Sequence, residues 1–195
     1  LAAAFESAPV GVAVIDTSGV AVLANAGFRR FVPHGIVPSR DPTQVGRWKA
    51  WDAEGRPLKP EDWPSARALR GERFMPGQEM IYTDDDGRDI WTSVSSVPIR
   101  DGTDAGTGLV TGPVTGAAIA IIDIDTARRN ADALRESEER LRSFGEASSD
   151  VLWIRDAETL EWTYLNPAFE SIYGLSREEA LRGNSMANWL DLVVP

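Results

Sequence analysis

Cysteine is absent from the 195 residues of this chain, and histidine occurs once, at position 34. Without a thiol the chain can form no disulfide, no thiolate nucleophile and no cysteine-ligated metal site. One histidine cannot supply a catalytic network by itself, and the Gly-x-Ser-x-Gly, Ser-x-x-Lys and Gly-Lys-Thr motifs are also missing. No enzyme activity is therefore predicted for this chain.

The chain also lacks an excess of basic residues and any long apolar run. Its net charge is −10 at pH 7, which argues against a nucleic-acid or anionic membrane partner, because both attract clustered lysine and arginine. The longest apolar run, Gly116–Ile122, is far shorter than the ~18 residues of a membrane span. There is no secretory signal either, and the lack of cysteine is compatible with a reducing cytoplasm without requiring one. Because Leu1 stands in place of Met, we expect a fragment of a longer protein.

A long helix is predicted over Ala127–Phe144, a stretch rich in Ala, Leu, Arg and Glu, which all have high helix propensity. Asp125 or Thr126 stands where a helix N-cap is wanted, and Gly145 stands where the helix can end. The apolar residues that recur at intervals of seven are Ala127, Leu134 and Leu141. So narrow a seam on a charged helix is typical of a coiled coil rather than a core helix, and it predicts a parallel dimer.

Similar sequences lie on the two sides of this helix. Each contains a short apolar strand, a turn, a second strand and then an Asn-x-x-Phe motif that opens a helix. The matched pairs are Phe5 with Phe144, Val12 with Val151, Asn25 with Asn166, and Phe28 with Phe169. In this alignment the turn is two residues longer in the second copy. The helix is therefore predicted to join two copies of one module.

The order of predicted elements in the first copy indicates an α+β module. The β-branched segments Val10–Asp16 and Val20–Asn25 bracket an Asp-x-x-Gly turn and predict a hairpin. Short helical segments follow, and then three longer strands at Glu79–Asp84, Arg88–Arg100 and Leu109–Ile124. Helices placed between two hairpins of one antiparallel sheet are expected to cover one of its faces.

The chain resembles the PAS sensory modules of bacterial sensor histidine kinases. The motifs that carry the resemblance are Phe5-Glu-Ser-Ala-Pro-Val-Gly-Val, Asn25-x-x-Phe28, Trp63-Pro with Arg67-Ala-Leu-Arg-Gly-Glu72, Asp123-Ile-Asp-Thr126 and Asn166-Pro-Ala-Phe169. The segment 133–142 is similar to the signalling helix of tandem PAS arrays. The resemblance implies a five-stranded antiparallel sheet with short helices on one face, then a signalling helix and the start of a second PAS module.

On this resemblance, residues 1–125 form a PAS sensory domain, residues 126–144 a helical linker and residues 145–195 the N-terminal part of a second PAS domain. It implies an intracellular sensing and dimerisation module that passes a ligand- or partner-induced change to a downstream histidine kinase or other output domain in the same protein, within a two-component system. The implied relay residues are Asp123, Asp125 and Thr126. The alternative is a cofactor-free scaffold for protein interaction and dimerisation.

The cofactors of other PAS branches do not suit this chain. Flavin photosensors of this fold need a cysteine in an Asn-Cys-Arg setting, and no cysteine is present. Haem-binding members use an axial histidine on the helix before the long strands, whereas His34 lies in a loop rich in Pro and Gly. No metal, haem or flavin is therefore predicted, and the ligand left open is an unidentified small molecule.

A small-molecule site in the first module is expected between its sheet and its helices. The resemblance places Thr92, Val94 and Ser96 on the helix side of their strand and Trp91 on the opposite side. The candidate ligand-binding residues are Phe28, Trp48, Trp51, Trp63, Arg67, Thr92, Val94 and Ser96. An aromatic wall with an arginine suits a planar or carboxylate-bearing molecule. The other interpretation is that the tryptophans simply fill the interior of a small domain.

The second copy contains only the first hairpin and first helix of the module. Its strands, predicted at Val151–Arg155 and Trp162–Leu165, would leave a sheet edge unpaired and the side chains of Phe169 and Trp189 without a core. Residues 150–195 are therefore expected to be ordered only where another surface covers them.

Overall fold

The computed structural model describes residues 2–102, 112–159 and 161–183. It divides into two compact units, Leu1–Arg129 and Asn130–Pro195. Trp189 and its neighbours, for which the sequence predicted a missing core, lie outside the described residues. None of the described helices is both long enough and apolar enough to cross a membrane.

The first unit is built on one six-stranded antiparallel sheet, in the spatial order β2-β1-β6-β5-β4-β3. Its strands are β1 Gly11–Asp16, β2 Ala21–Ala24, β3 Trp48–Ala50, β4 Phe74–Thr83, β5 Asp89–Arg100 and β6 Val114–Asp123. Its helical segments are α1 Ala2–Glu6, α2 Ala26–Phe31, α3 Pro64–Leu69 and the 3-10 turns Val45–Arg47 and Pro60–Asp62. The predicted α+β fold, with short helices and an antiparallel sheet, is confirmed.

The sixth strand, β3, was missed by the sequence analysis, which predicted five. It has only three residues, too few to show an alternating pattern. It pairs with β4 at the edge of the sheet, with Lys49 opposite Ile81. Short edge strands that carry a lysine protect a sheet from pairing with other chains.

The core lies between the sheet and the helices α2 and α3. Alternate strand residues point to this side, and Ala13, Ile15, Ile119 and Ile121 are all at most 3 % exposed. Phe28 of α2 is fully buried, and α3 packs against β5 and β6. Each large apolar side chain buried in this way stabilises the fold by about 1.5–3 kcal/mol.

The Asp-x-x-Gly turns share one side-chain arrangement. Asp16 Oδ1 accepts hydrogen bonds from the N–H groups of Ser18 and Val20, at 2.9 and 3.0 Å. Asp52 and Asp84 accept in the same way from the residues two and four positions ahead. The hydrogen bond from the Ser18 hydroxyl, followed by that from the Val20 N–H, lowers the pKa of Asp16. These aspartates therefore fix the turns as charged acceptors.

A long helix, α4 Asp125–Ala147, begins directly after the first sheet and extends into the second unit. The second unit continues with the elements β7 Trp153–Arg155, β8 Trp162–Leu165, α5 Pro167–Tyr173 and α6 Arg177–Gly183. Leu165 and Phe169 are buried, whereas Trp153 and Ile154 are 57 % and 59 % exposed. The described residues therefore leave part of the apolar surface of this hairpin uncovered.

The hydrogen bonds of the first hairpins show that the two copies align one residue away from the alignment made by sequence. The N–H of Asn25 donates to Val12 O, and the N–H of Asn166 donates to Leu152 O, both at 3.0 Å. The residue equivalent to Val12 is therefore Leu152 rather than Val151. Since the paired residues are 13 apart in the first copy and 14 apart in the second, the second turn is longer by one residue, not two. The alignment by sequence was wrong by one residue because Val151 and Leu152 are both apolar. The difference matters, because a one-residue shift reverses the faces of a strand.

Candidate functional site

A small cavity lies in the core of the first unit, between the sheet and the helices. Its volume is about 20 Å³, enough for roughly one water molecule. Pockets that bind small molecules typically measure about 300–1,000 Å³. The interior is therefore almost filled by its own side chains in this conformation, which favours the interpretation of the tryptophans as core residues.

Half of the predicted ligand-binding residues line this cavity, namely Phe28, Trp48, Trp63 and Val94. The ring of Trp48 packs against Tyr82 and Phe31, with centroids 5.1 and 6.4 Å apart. Trp63 donates its Nε1–H to Leu58 O at 3.3 Å. Both tryptophans are thus held in place by the protein itself.

Two other predicted residues, Trp51 and Arg67, do not line the cavity. Trp51 packs against Trp91, with ring centroids 6.3 Å apart, and Trp91 points to the outer face of the sheet. Arg67 is paired with Glu72 at 2.7 Å, and its guanidinium lies 4.8 Å from the centre of the Phe74 ring. These partners draw both side chains away from the interior, so Phe28, Trp48 and Trp63 line the cavity without Trp51 or Arg67.

Thr92 and Ser96 lie on the buried side of β5, where strand alternation placed them, but neither lines the cavity. Thr92 Oγ1 donates to Met80 O at 3.0 Å. Ser96 Oγ and Trp48 Nε1 are buried and have no hydrogen-bond partner among the described residues. An unpaired buried polar atom costs about 1–3 kcal/mol, so a water or ligand that reached either atom would gain from satisfying it.

The loop after α2 forms one wall of the cavity through Val37 and Pro38. Asp41, which is 6 % exposed, holds the end of this loop. Its Oδ1 accepts the Thr43 hydroxyl at 2.6 Å and the Thr43 N–H at 2.9 Å, and its Oδ2 lies 2.9 Å from His34 Nδ1. The bonds from Thr43, and then the contact with His34, lower the pKa of Asp41. The single histidine therefore pairs with a structural carboxylate and does not face the cavity.

The end of β6 and the start of α4 form a joint with the rest of the sheet. The N–H of Ile124 donates to Trp91 O at 2.9 Å. Asp123 Oδ1 accepts the N–H of Asp125 at 3.1 Å, and its Oδ2 lies 3.2 Å from a guanidinium nitrogen of Arg30. Asp123 therefore bonds to the first residue of the helix and to α2 at the same time.

Asp125 supplies a second set of ion pairs at this joint. Its side chain is 14 % exposed and pairs with Arg88, from the turn between β4 and β5, at 3.3 Å. It also pairs with Arg129, one helical turn ahead, at 2.9 Å. Thr126, the third predicted relay residue, is exposed and makes no side-chain hydrogen bond within the described part of the chain.

Arg128 completes the joint on the outer face of the sheet. Its guanidinium lies 3.9 Å from the centre of the Trp91 ring and pairs with Glu79 of β4. The aspartates of the joint were predicted from the sequence, but Arg128 and Glu79, which are 49 residues apart, were not. The only signal was the alternation that placed Trp91 on the outer face.

The chain matches two sequence models of PAS domains. One matches residues 9–114 and the other matches residues 139–195. A search of curated proteins finds no match.

Several solved structures are similar to this chain. The PAS domain of a Colwellia psychrerythraea protein is 18 % identical, with 64 % of this chain and 94 % of that one covered, at a TM-score of 0.37. A sensory box histidine kinase/response regulator of Burkholderia thailandensis is 17 % identical, with 73 % and 97 % covered, at 0.40. The PAS domain of BvgS from Bordetella pertussis is 16 % identical, with 70 % and 93 % covered, at 0.37. Because these TM-scores are low, the family assignment rests on the two sequence models.

Replacing Asp41 with Asn is expected to make the first unit less stable at neutral pH but not in acid. The folded-state pKa of Asp41 lies below its ordinary value of 3.8, so its carboxylate stabilises the fold above that value. This contribution is lost as the pH falls through the lower, folded-state pKa. Urea unfolding should therefore separate wild type from Asp41→Asn at about pH 6, and the difference should shrink as the pH falls below 3.8. Asp86→Asn, in an exposed turn, is the control, and a difference that does not change with pH would contradict the expectation.

Proposed function

The chain belongs to the PAS domain family, and we propose that its first unit is a sensory relay that passes a conformational change into α4. The observation that carries this proposal is the joint at residues 123–129. There the start of one helix is bonded to Glu79 of β4, Trp91 of β5 and Asp123 of β6. A shift of these strands relative to one another would therefore displace the first turn of the helix.

The strength of these contacts suits a switch. The side chains of Arg88 and Arg129 are 62 % and 64 % exposed, and exposed ion pairs contribute only about 0–1 kcal/mol each. The contact of Arg128 with Trp91 is of the cation–π kind, which contributes about 0.5–2 kcal/mol. A binding event can therefore supply enough free energy to change the joint from one arrangement of contacts to another.

The input is proposed to be a change in packing induced by a protein partner. The cavity of about 20 Å³ supports this, because a resident ligand of ordinary size would need the core to open. The alternative, a cofactor-free interaction and dimerisation scaffold, is supported by the same filled interior. It differs in that no signal would pass through the joint.

A small ligand is a second candidate input. It is favoured by the unpaired Trp48 Nε1, on a side chain that lines the cavity, and by the unpaired Ser96 Oγ nearby on the buried face. Native mass spectrometry of freshly purified protein distinguishes the two inputs. A bound small mass would favour the ligand, and a bare chain would favour the partner.

The output is proposed to be a histidine kinase domain of a two-component system, carried in the same protein and acting in the cytoplasm. The match of residues 139–195 to a PAS domain supports a tandem array between the first unit and that output. This chain itself is proposed to be non-catalytic and to need no metal or cofactor. Its net charge of −10 supports partners other than nucleic acid.

The proposed homodimer rests on the exposed seam of α4. Leu134 and Leu141 are 62 % and 68 % exposed, and Ala127 precedes them at the same interval. Apolar residues spaced by seven on an otherwise charged helix pair with the same seam of a second helix. Parallel pairing would place two relay helices side by side and let each respond to the other.

The relay is tested by perturbing the core and observing the helix. Val94 lines the cavity and is 6 % exposed, whereas Val22 lies on the same unit and is 66 % exposed. Val94→Ala should lower stability by about 1–3 kcal/mol and raise amide hydrogen exchange at residues 126–132 about two- to tenfold, as expected for a weakened hydrogen bond. Val22→Ala is the matched control. Equal exchange at residues 126–132 in the two variants would contradict the relay.

The dimer is tested by sedimentation velocity over a range of concentrations. Leu134→Ala combined with Leu141→Ala removes apolar contact area from the seam, so the dissociation constant should rise by about tenfold or more. Arg135→Ala, on the same helix but outside the seam, should leave the constant almost unchanged. A wild-type chain that stays monomeric at high concentration would show that the helix does not pair.

A further inference from the structure

A buried asparagine occupies the same position in both units, directly before a short helix. Asn25 and Asn166 are both fully buried. The backbone N–H of each donates to a carbonyl of the first hairpin, from Val12 and Leu152 respectively. The side-chain Oδ1 of each accepts the N–H of that same residue, at 2.8 and 2.9 Å. The two asparagines are therefore equivalent by their bonds as well as by sequence.

The amide nitrogen of Asn166 reaches the end of α4. It donates to Gly145 O at 2.9 Å and to Asp150 O at 2.8 Å, and it lies 3.5 Å from Ser148 O. Gly145 belongs to the last turn of α4, where carbonyl groups lack partners within the helix. One side chain thus bonds the end of the helix, the chain that follows it and the N–H of Leu152.

Asn25 makes equivalent bonds in the first unit, where Phe5 lies in the last turn of α1, and adds a helix cap. Its nitrogen donates to Phe5 O and Val10 O, at 3.1 and 2.8 Å, and its Oδ1 also caps α2 by accepting the N–H of Phe28 at 3.0 Å. Asn166 makes no such cap bond to α5. In both units the side-chain amide therefore joins the end of the preceding helix to the start of the hairpin, and the cap bond distinguishes Asn25 from Asn166.

A second contact holds the end of α4 against the same hairpin. Gly145 is buried, and a Cβ atom at this position would lie 2.3 Å from the Tyr164 hydroxyl oxygen of β8. Only a glycine therefore lets the helix approach β8 this closely without a shift of Tyr164. The hydrogen bonds and the close approach together leave the last turn little freedom to move without the hairpin.

We infer that Asn166 is a positioning residue that transfers a movement of α4 to the hairpin β7–β8. A movement that starts at the joint would then reach the second unit. This inference rests on the relay proposed above. It assigns the receiving side of that relay to one side chain, because the amide of Asn166 bonds both Gly145 O and the N–H of Leu152. A rotation of the last turn would then pull on Leu152, the residue directly before β7.

The test uses amide hydrogen exchange by NMR in the full chain, with Asp125→Asn as the source of the movement. This substitution removes the charge that Arg88 and Arg129 pair with at the start of α4. With Asn166 intact, exchange should change about two- to tenfold both at residues 141–147 and at the amide of Leu152. Asn166→Asp keeps an oxygen for the Leu152 N–H but removes the donor for Gly145 O. In that background only residues 141–147 should respond.

The matched control is Asn25→Asp, the same substitution at the equivalent position, in which Leu152 should still respond. Two outcomes would overturn the inference and leave the relay intact. In the first, exchange at Leu152 still changes in the Asn166→Asp background. In the second, with Asn166 intact, exchange changes at residues 141–147 but not at Leu152. No response at residues 141–147 would overturn the relay and the inference with it. If Asn166→Asp unfolds the hairpin, Gly145→Ala serves as the second variant. It should weaken the Leu152 response by displacing the helix end from Tyr164, and an undiminished response would overturn the inference.

Discussion

The attachment of α4 to the sheet of the first unit depends on Trp91, which holds the start of this helix with both its backbone and its side chain. Its carbonyl accepts the N–H of Ile124 at 2.9 Å, and its ring lies 3.9 Å from the guanidinium of Arg128. Trp91 belongs to β5, which lies inside the sheet between β4 and β6. Trp91 therefore ties the start of α4 to a strand in the interior of the sheet.

The two faces of this sheet differ in how tightly the elements on them are packed. The helix side is closely packed, with a cavity of about 20 Å³ between the described residues of the sheet and helices, and close-packed interiors transmit strain rather than absorb it. The outer side, by contrast, holds α4 through partly exposed pairs such as Arg128 with Glu79, which rearrange at little cost. A tightly packed core followed by a helix that is held through weak contacts suits a module that converts small changes in packing into movement of that helix.

The sequence predicted the features that follow from local periodicity. Strand alternation placed Thr92 and Trp91 on opposite faces of β5, the resemblance to PAS modules assigned Thr92 to the buried face, and composition predicted α4 to within a few residues. It could not predict contacts that depend on the order of strands in the sheet. The pairing of Arg128 with Glu79 and the stacking of Trp51 on Trp91 join distant segments. For the same reason Trp51 was assigned to the interior, although its partner lies on the outer face.

The most direct test of the account is a double-mutant cycle between Arg128 and Trp91. The free energy of unfolding is measured by urea denaturation for wild type, Arg128→Ala, Trp91→Leu and the double variant. If the joint binds helix to sheet as described, the two substitutions should be non-additive, with a coupling of about 0.5–2 kcal/mol. Additive effects, with no coupling beyond the measurement error, would mean that Arg128 and Trp91 do not hold the helix to the sheet together and would contradict the account.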